Sequence, residues 1–536
     1  MKRRTFFKTT ALSGSVVALA GVGACTSQKP VETAKPDFAT FDLNEITIDE
    51  LQQKMVSGEV SAEGLCQKYL DRIALVDPVL KSVIEINPDT IAIARQLDEE
   101  RKAGKVRGSL HGIPVLIKDN IDTFDKMQTT AGSLALEGNI ANIDAFIIKR
   151  LRDAGAVLLG KTNLSEWANF RSTTSSSGWS GRGGQVRNPF STDRSPCGSS
   201  SGTGAAISAN LCAVGIGTET NGSIVCPSGI NGIVGIKPTL GLWSRRGIIP
   251  IAHSQDTAGP MARTVKDAAI LLGALAAFDP TDAETHIERG EIFSDYTQFL
   301  NAEGLAGKRI GVMAELSGFN TKVDDLFKQA VDVLKAKGAE IVEGLNFENL
   351  RQADELSYQV LLYEFKADLN KYLEEHPGAP VKSMAEIIEF NKKNSDREMP
   401  WFSQEIFEIA QAKGDLTSEE YLKALADSKR ITGKEGIDAL MEKHNLDVLI
   451  APTNGPAWTI DWVNGDHFGG GSSSPAAISG YSNITVPMGF VHELPVGISF
   501  FGRAWSEPVL LTIAYAFEQA TKHRKAPGFS ETLENA

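Results

Sequence analysis

The amino-acid sequence predicts an α/β protein that folds as a single compact domain. Short apolar runs alternate with longer amphipathic segments along the chain, which is typical of strands and helices that pack in layers. The sequence has 536 residues, which by length alone would allow two or more domains. It contains no internal repeat and no clean linker, however, so we expect one large hydrophobic core.

Individual elements can be predicted from apolar spacing and caps. Residues 47–50 read Thr-Ile-Asp-Glu, a capping box, so a helix should begin at Ile48. Residues 345–440 are more charged and are expected to be helical, without a recognisable motif. The other predicted elements are strands at 113–117, 156–159, 211–216, 309–313, 340–342, 447–451, 483–486 and 496–501, and helices at 145–154, 205–209 and 323–336.

Composition and charge exclude several classes of protein. Hydrophobic residues make up 42% and charged residues 23% of the chain, as in an ordinary globular protein. The net charge of −13 argues against nucleic acid as a partner. None of the eight histidines has the spacing of metal ligands, and no Gly-Lys-Ser/Thr phosphate loop is present. We therefore expect neither a metal nor an organic cofactor.

The N-terminus is predicted to be an export signal. Residues 2–8 read Lys-Arg-Arg-Thr-Phe-Phe-Lys and resemble a twin-arginine motif, and a weakly apolar stretch follows to Ala24. Val22-Gly23-Ala24-Cys25 resembles a bacterial lipobox. We expect residues 1–24 to be a lipoprotein signal peptide, Cys25 to be acylated, and residues 25–42 to be a tether. The protein would then be a periplasmic or cell-envelope lipoprotein that contacts a membrane only through its lipid. The alternative is an ordinary signal peptide with a fortuitous cysteine.

The four remaining cysteines are too few for a disulfide framework in so long a chain. They are Cys66, Cys197, Cys212 and Cys226, and no Cys-x-x-Cys pair suggests zinc. We expect all four to be free, small and buried. A disulfide between Cys197 and Cys226 is the alternative, because an oxidising compartment would permit it.

Three segments carry the residues that suggest chemistry. Residues 217–224 read Gly-Thr-Glu-Thr-Asn-Gly-Ser-Ile and place Ser223 in a tight loop of small and polar residues. Residues 198–202 read Gly-Ser-Ser-Ser-Gly, and Lys118 ends an apolar run further upstream. A nucleophile in such a loop gains backbone N–H neighbours and loses steric cover. The three segments thus offer a hydroxyl nucleophile, a second hydroxyl and a lysine, with no need for histidine.

This combination strongly resembles the amidase signature family, over about residues 45–525 and most weakly over 280–440. The flanking segments that carry the resemblance are residues 110–115 (Leu-His-Gly-Ile-Pro-Val), 160–166 (Gly-Lys-Thr-Asn-Leu-Ser-Glu), 234–239 (Val-Gly-Ile-Lys-Pro-Thr), 256–263 (Asp-Thr-Ala-Gly-Pro-Met-Ala-Arg) and 483–487 (Asn-Ile-Thr-Val-Pro). The resemblance implies a large twisted mixed β-sheet covered by helices on both faces. It also implies one domain over residues 43–530, in which residues 280–440 vary and shape the substrate site.

The resemblance assigns a role to each residue of a Ser–cis-Ser–Lys triad. Ser223 would be the nucleophile that forms an acyl-enzyme, Ser199 at a cis peptide would relay its proton, and Lys118 would be the base. Lysine can accept a proton only when it is neutral, so its pKa must be lowered by burial. The backbone N–H groups of Thr220, Asn221, Gly222 and Ser223 would form the oxyanion site.

Within this family the loops look most like those of peptide amidases, which remove the C-terminal amide of peptides. Asn221 replaces the first glycine of the commoner Gly-Gly-Ser loop. We expect the loop to keep its shape, because Asn tolerates left-handed backbone geometry better than most residues. Cys197 replaces a glycine before the bridging serine. Two alternatives within the family are an amidase of aryl or fatty amides and the glutaminase component of a transfer-RNA-dependent amidotransferase. The export signal argues against the second.

Two interpretations from other classes are weaker. Residues 198–202 also satisfy the Gly-x-Ser-x-Gly elbow of α/β-hydrolases with Ser200 at its centre, but that elbow needs a preceding strand and a late catalytic histidine. Residues 190–197 are polar, and His467, His492 and His523 have no obvious partner. A non-catalytic binding protein on the same fold is disfavoured by the presence of all three triad residues. The sequence leaves the oligomeric state open.

Overall fold

An eleven-stranded mixed β-sheet runs through the computed structural model, which describes residue 38 and residues 40–285 and 291–533. The strands are β1 (Val83–Ile86), β2 (Pro114–Lys118), β3 (Val157–Thr162), β4 (Trp179–Ser180), β5 (Gly184–Gln185), β6 (Val214–Glu219), β7 (Val234–Lys237), β8 (Thr257–Ala262), β9 (Arg309–Met313), β10 (Glu340–Leu345), β11 (Val448–Pro452), β12 (Asn483–Val491) and β13 (Leu494–Phe501). Strands β4 and β5 form a separate two-stranded sheet, and the order across the large sheet is β1-β3-β2-β6-β8-β7-β12-β13-β11-β9-β10.

Helices flank this sheet. They are α1 (Ile48–Ser57), α2 (Ala62–Leu80), α3 (Thr90–Lys102), α4 (Phe146–Asp153), α5 (Ser201–Ser208), α6 (Val225–Ile230), α7 (Val265–Leu275), α8 (Thr321–Ala336), α9 (Leu350–Glu375), α10 (Met384–Lys393), α11 (Ser395–Glu398), α12 (Glu405–Gln411), α13 (Glu419–Lys429), α14 (Ala439–Lys443), α15 (Ser474–Ser479) and α16 (Glu507–Thr521). The chain from Phe38 onward is one compact unit, as the sequence predicts. In the described part of the chain, no helix is both long enough and apolar enough to cross a membrane.

The strands that matter most for the site are β2 and β6, which are adjacent and parallel. Every residue of both strands is buried, as expected of strands that are covered on both faces. Because parallel strands end at the same edge of a sheet, Lys118 at the end of β2 and Glu219 at the end of β6 lie at one edge. Strand β8 is antiparallel to β6 and starts at that edge with Thr257.

Most predicted elements are present, but two near the serine-rich loop begin elsewhere. The capping box at Thr47 and strand Arg309–Met313 are confirmed. The helix predicted at 205–209 begins four residues earlier, at Ser201, directly after the serine pair. The strand predicted at 211–216 begins at Val214, because Asn210 has a positive φ of 58° and turns the chain after α5.

The weakly matched region from 345 to 440 is helical, as predicted. Helix α9 and the short helices after it bury an apolar cluster of their own, which includes Phe365, Leu369 and Phe407. Trp167 and Phe170 from the segment after β3 belong to the same cluster. The helical region is therefore packed onto the edge of the sheet that carries Lys118.

Candidate active site

Lys118 is fully buried, and its ammonium nitrogen meets three hydroxyl groups. Its Nζ atom lies 2.8 Å from Ser199 Oγ, 3.0 Å from Ser200 Oγ and 2.9 Å from Thr218 Oγ1. Loss of hydration lowers the pKa of Lys118 to about 7, although the negative charges of Asp256 and Glu219 oppose this shift. A lysine with this pKa is neutral in a large fraction of molecules at neutral pH, so it can accept a proton.

Ser199 and Ser200 differ in where their hydroxyl protons can go. Ser200 Oγ donates to the backbone oxygen of Thr218 at 3.0 Å and accepts from Thr218 N at 3.2 Å. Ser199 Oγ contacts Lys118 Nζ and has no such backbone acceptor among the described residues. The Gly198–Ser199 peptide bond is cis, and the Ser199 carbonyl oxygen accepts a hydrogen bond from Ser165 N at 3.1 Å. Of the two serine hydroxyls, Ser199 is therefore the one whose proton is not directed to a backbone acceptor.

The loop that holds Ser223 connects β6 to α6. The Glu219 carboxylate folds this loop back on itself, because its Oε2 atom accepts from Ile224 N at 2.8 Å and from Val225 N at 3.0 Å. The backbone oxygen of Ser223 accepts from Ser200 N at 3.1 Å, which ties the two serine loops together. Ser223 itself is buried but not completely enclosed, with 8% of its surface exposed.

Asn221 does not adopt the geometry that the sequence suggests. The left-handed conformation falls on Gly222, with a φ of 84°, whereas Asn221 keeps a negative φ. The exposed Asn221 side chain instead accepts from Ser473 Oγ at 2.7 Å and donates to Ser474 Oγ at 3.1 Å. It therefore fastens the loop to the start of α15, and the expectation of a left-handed Asn221 is wrong.

A disulfide joins Cys197 to Cys226, with the Cα atoms 6.1 Å apart. The expectation that all four cysteines are free is therefore wrong for this pair and confirmed for Cys66 and Cys212, which are free and buried. The disulfide links the residue two positions before Ser199 to the residue three positions after Ser223. Sequence spacing alone could not show that these two loops come together in space.

A cavity of about 470 Å³ opens beside the end of β6. One wall consists of Thr218, Thr220 and Asn120, and Asn120 donates to Thr218 Oγ1 at 3.0 Å. Two further walls come from the segment between β7 and β8 and from the C-terminal end of α9 with the residue after it. Their lining residues include Arg245, His253, Asp256, Asp368, Lys371, Tyr372 and His376. The sequence motif at 256–263 points to this segment but not to the position of Asp256 in the cavity wall.

Comparisons with known proteins identify the family. The family model described as Amidase matches residues 64–511, so the chain belongs to the amidase family. A protein named probable amidase in Arabidopsis thaliana is 40% identical over 92% of this chain and 93% of its own length. A component of the glutamyl-tRNA(Gln) amidotransferase of Thermosynechococcus vestitus is 35% identical over 90% of this chain and 99% of its own length.

Solved structures show the same fold. The native peptide amidase of Stenotrophomonas maltophilia is 50% identical, has a TM-score of 0.88, and is matched over 91% of this chain and 100% of its own. A peptide amidase in complex with the competitive inhibitor chymostatin matches over the same shares with 50% identity and a TM-score of 0.89. The predicted amidase signature fold is thus confirmed, and the protein is an amide-hydrolysing enzyme.

The disulfide can be checked by thiol mapping. Replacing Cys197 and Cys226 by Ser should lower the free energy of unfolding by about 2–4 kcal/mol, because the unfolded chain loses a covalent loop constraint. Denaturant unfolding of the variant and the parent measures this difference. In the unfolded but unreduced parent, a thiol reagent should label Cys66 and Cys212 and leave Cys197 and Cys226 unlabelled. Labelling of Cys197 before reduction would contradict the disulfide.

Proposed function

We propose that this enzyme is a serine amidohydrolase that removes the C-terminal amide of peptides through an acyl-enzyme on Ser223. The observation that carries the proposal is the contact between the buried Lys118 and Ser199, in which the pKa of the lysine is lowered to about 7. An amine of this kind can act as a general base near neutral pH, which is what attack by a serine hydroxyl on an amide requires.

In the proposed first step, Ser223 Oγ attacks the amide carbon while its proton passes to Ser199 and the proton of Ser199 passes to Lys118. The backbone N–H groups of Thr220, Asn221, Gly222 and Ser223 stabilise the developing oxyanion. The C–N bond then breaks, and the departing nitrogen takes a proton back from Lys118 through Ser199. An ester on Ser223 and free ammonia result. Water, activated by the same two groups, then hydrolyses the ester to a carboxylic acid.

The α/β-hydrolase interpretation with Ser200 as nucleophile fits the site poorly. The Ser200 hydroxyl is fully buried and is held by the backbone of Thr218. The residue before the Gly-Ser-Ser-Ser-Gly segment is a disulfide-bonded cysteine in a loop and not the end of a strand. Ser223, in contrast, lies in the loop that follows β6 and is not completely enclosed.

The choice of a peptide amide as substrate is supported by the relatives. Two solved structures of peptide amidase are each 50% identical to this chain over 91% of its length. In one of these structures the peptide amidase is in complex with the competitive inhibitor chymostatin. Asn221 and its contacts to α15 distinguish the loop from the commoner Gly-Gly-Ser form.

A glutaminase of the amidotransferase type is the second candidate, favoured by the near-complete coverage of the amidotransferase relative.

We also propose that the enzyme is exported and anchored by lipid at Cys25. Residues 1–24, the acylated cysteine and most of the tether at 25–42 lie outside the described residues, so this proposal rests on the twin-arginine and lipobox patterns. Two or more acyl chains hold a protein stably on a membrane. The mature protein should fractionate with membranes, and Cys25→Ser should release it. An unmodified mature N-terminus downstream of Cys25 in mass spectrometry would exclude the anchor.

Serine substitutions test the assignment of nucleophile and relay. Ser223→Ala should reduce kcat/KM by about 10⁴–10⁶, because no other hydroxyl can form the acyl-enzyme. Ser199→Ala should cost about 10²–10⁴, as is typical of lost proton transfer. Ser200→Ala is the matched control and should be milder than Ser199→Ala. If Ser200→Ala were the more damaging of the two, the elbow interpretation would be restored. Labelling of Ser223 by a fluorophosphonate probe reports the nucleophile independently of substrate choice.

The pH dependence tests the base. Lys118 is active only when neutral, so kcat/KM should be lost as the pH falls below about 7 and should rise to a plateau above it. Lys118→Arg keeps the charge but cannot release its proton, so it should be nearly inactive over the whole range. Initial rates of wild type and variant across the pH range give both results. An active Lys118→Arg enzyme would remove Lys118 from the mechanism.

A substrate panel tests the specificity. Peptides that end in a primary amide should have a higher kcat/KM than aryl acylamides, long-chain fatty amides or free glutamine, and internal peptide bonds should resist cleavage. Asn221→Gly, which restores the commoner loop, should keep activity and change the ranking of substrates. A clear preference of the wild type for another class would reject the peptide-amide assignment and leave the amidase activity intact.

A further inference from the structure

Asp256 connects the cavity wall to the loop that carries Ser223. Its Oδ1 atom accepts a hydrogen bond from Thr220 Oγ1 at 2.5 Å, and Thr220 is the first residue of the proposed oxyanion loop. Its Oδ2 atom accepts from Ile251 N at 2.8 Å and from Ala252 N at 2.9 Å. The carboxylate is thus held by three protein donors in a fixed position at the edge of the sheet.

The same carboxylate acts on Lys118 across the end of β6. Lys118 Nζ contacts Thr218 Oγ1, whereas Asp256 contacts Thr220 Oγ1, and both threonines line the cavity. Thr218 lies near the end of β6 and Thr220 directly follows the strand, so both side chains are at the same edge of the sheet. No lysine, arginine or histidine of the described residues forms an ion pair with Asp256. Its negative charge is therefore not neutralised by a direct cationic neighbour.

We propose that Asp256 is a positioning residue of the amidase reaction: it fixes Thr220 at the start of the oxyanion loop and supplies the negative charge that stabilises Lys118 as an ammonium ion. The inference rests on the proposed function, because it requires Lys118 to be the base. Protonation of a buried lysine creates a charge in a poorly hydrated site, and a fixed carboxylate offsets the cost of that charge. Without it, Lys118 would be a weaker base.

Several other charged groups around Asp256 are bound to neighbours, although the charge of Arg245 also interacts with Asp256. Glu219 on β6 also acts on Lys118, but its Oε2 atom is bound by two backbone N–H groups of the nucleophile loop. Arg245 pairs with Asp282, and His253 pairs with Asp368 of α9. The cavity wall also contains Lys371, Glu375 and His376, of which His376 is bound to Asp122.

The ionisation of Asp256 suits this role. Loss of hydration raises the pKa of Asp256 to about 6, and the negative charge of Asp368 adds to this shift. Asp256 is therefore mostly ionised over the range in which a lysine with a pKa of about 7 becomes neutral. Above neutral pH, Asp256 is ionised and Lys118 is neutral, as the proposed reaction requires.

The substitution Asp256→Asn removes the negative charge of the side chain and keeps its size and shape. The asparagine oxygen can still accept from Ile251 N and Ala252 N, and its amide group can donate to Thr220 Oγ1. In the full-length enzyme we expect the plateau of kcat/KM to fall about tenfold and the acidic limb of the pH profile to move down by about half a pH unit or more. Asp256→Glu, which keeps the charge, should return the limb towards its wild-type position.

Asp466→Asn is the matched control, because Asp466 is a partly buried carboxylate that likewise accepts from a hydroxyl and a backbone N–H, both of Ser177, but it does not line the cavity. Its acidic limb should stay at the wild-type pH. An Asp256→Asn profile that falls in height without moving along the pH axis would show a purely structural role and overturn the proposal. If Asp256→Asn does not fold, Asp256→Ser gives the same comparison, since water can bind the two freed amides. Failure of the proposed function would look different: the wild type would lack a limb near pH 7, or Ser223 would not react with a fluorophosphonate.

Discussion

The burial of one lysine is the constraint on which the site depends. Lys118 ends a strand that is covered on both faces, so its nitrogen meets hydroxyl groups and a backbone carbonyl instead of water. An amine in such a place loses the hydration that normally stabilises its charge, and this loss brings its pKa into the neutral range. The parallel pairing of β2 with β6 then brings the lysine beside the strand that leads to Ser223.

The two serine loops have little regular structure, and several separate contacts hold them in register. The Ser200 N–H donates to the Ser223 carbonyl oxygen, and the Ser165 N–H donates to the Ser199 carbonyl oxygen. The disulfide between Cys197 and Cys226 joins the two loops covalently. The Glu219 side chain binds the backbone of the nucleophile loop, and the Asn221 side chain binds the start of α15. Pre-organisation of this kind means that the backbone donors need little rearrangement when negative charge develops on a substrate.

The sequence predicted the layered α/β fold, because this depends on the local apolar pattern. Its motifs also singled out Lys118 and Ser199, whose side chains are in contact, while the role of Ser223 as nucleophile stays a prediction. Prediction from the sequence failed where the outcome depends on contacts between distant segments. Residues 211–213 are apolar and buried, so the sequence predicted that they belong to a strand. The chain bends there instead, and an apolar run alone cannot distinguish the two. The disulfide, the role of Gly222 in place of Asn221, and the hydrogen bond from Thr220 to Asp256 all require the folded loops to be seen together.

The chemical groups and the cavity walls come from different stretches of the chain. Lys118, both serines and the oxyanion loop lie between residues 118 and 223, whereas α9 contributes much of the cavity wall from more than a hundred residues further on. Helix α9 shares its apolar cluster with Trp167 and Ile251, and its Tyr372 donates a hydrogen bond to Asp122, four residues after the end of β2. A substitution on the cavity side of α9 would therefore change the shape of the cavity and, through Asp122, also the support of the segment that follows Lys118.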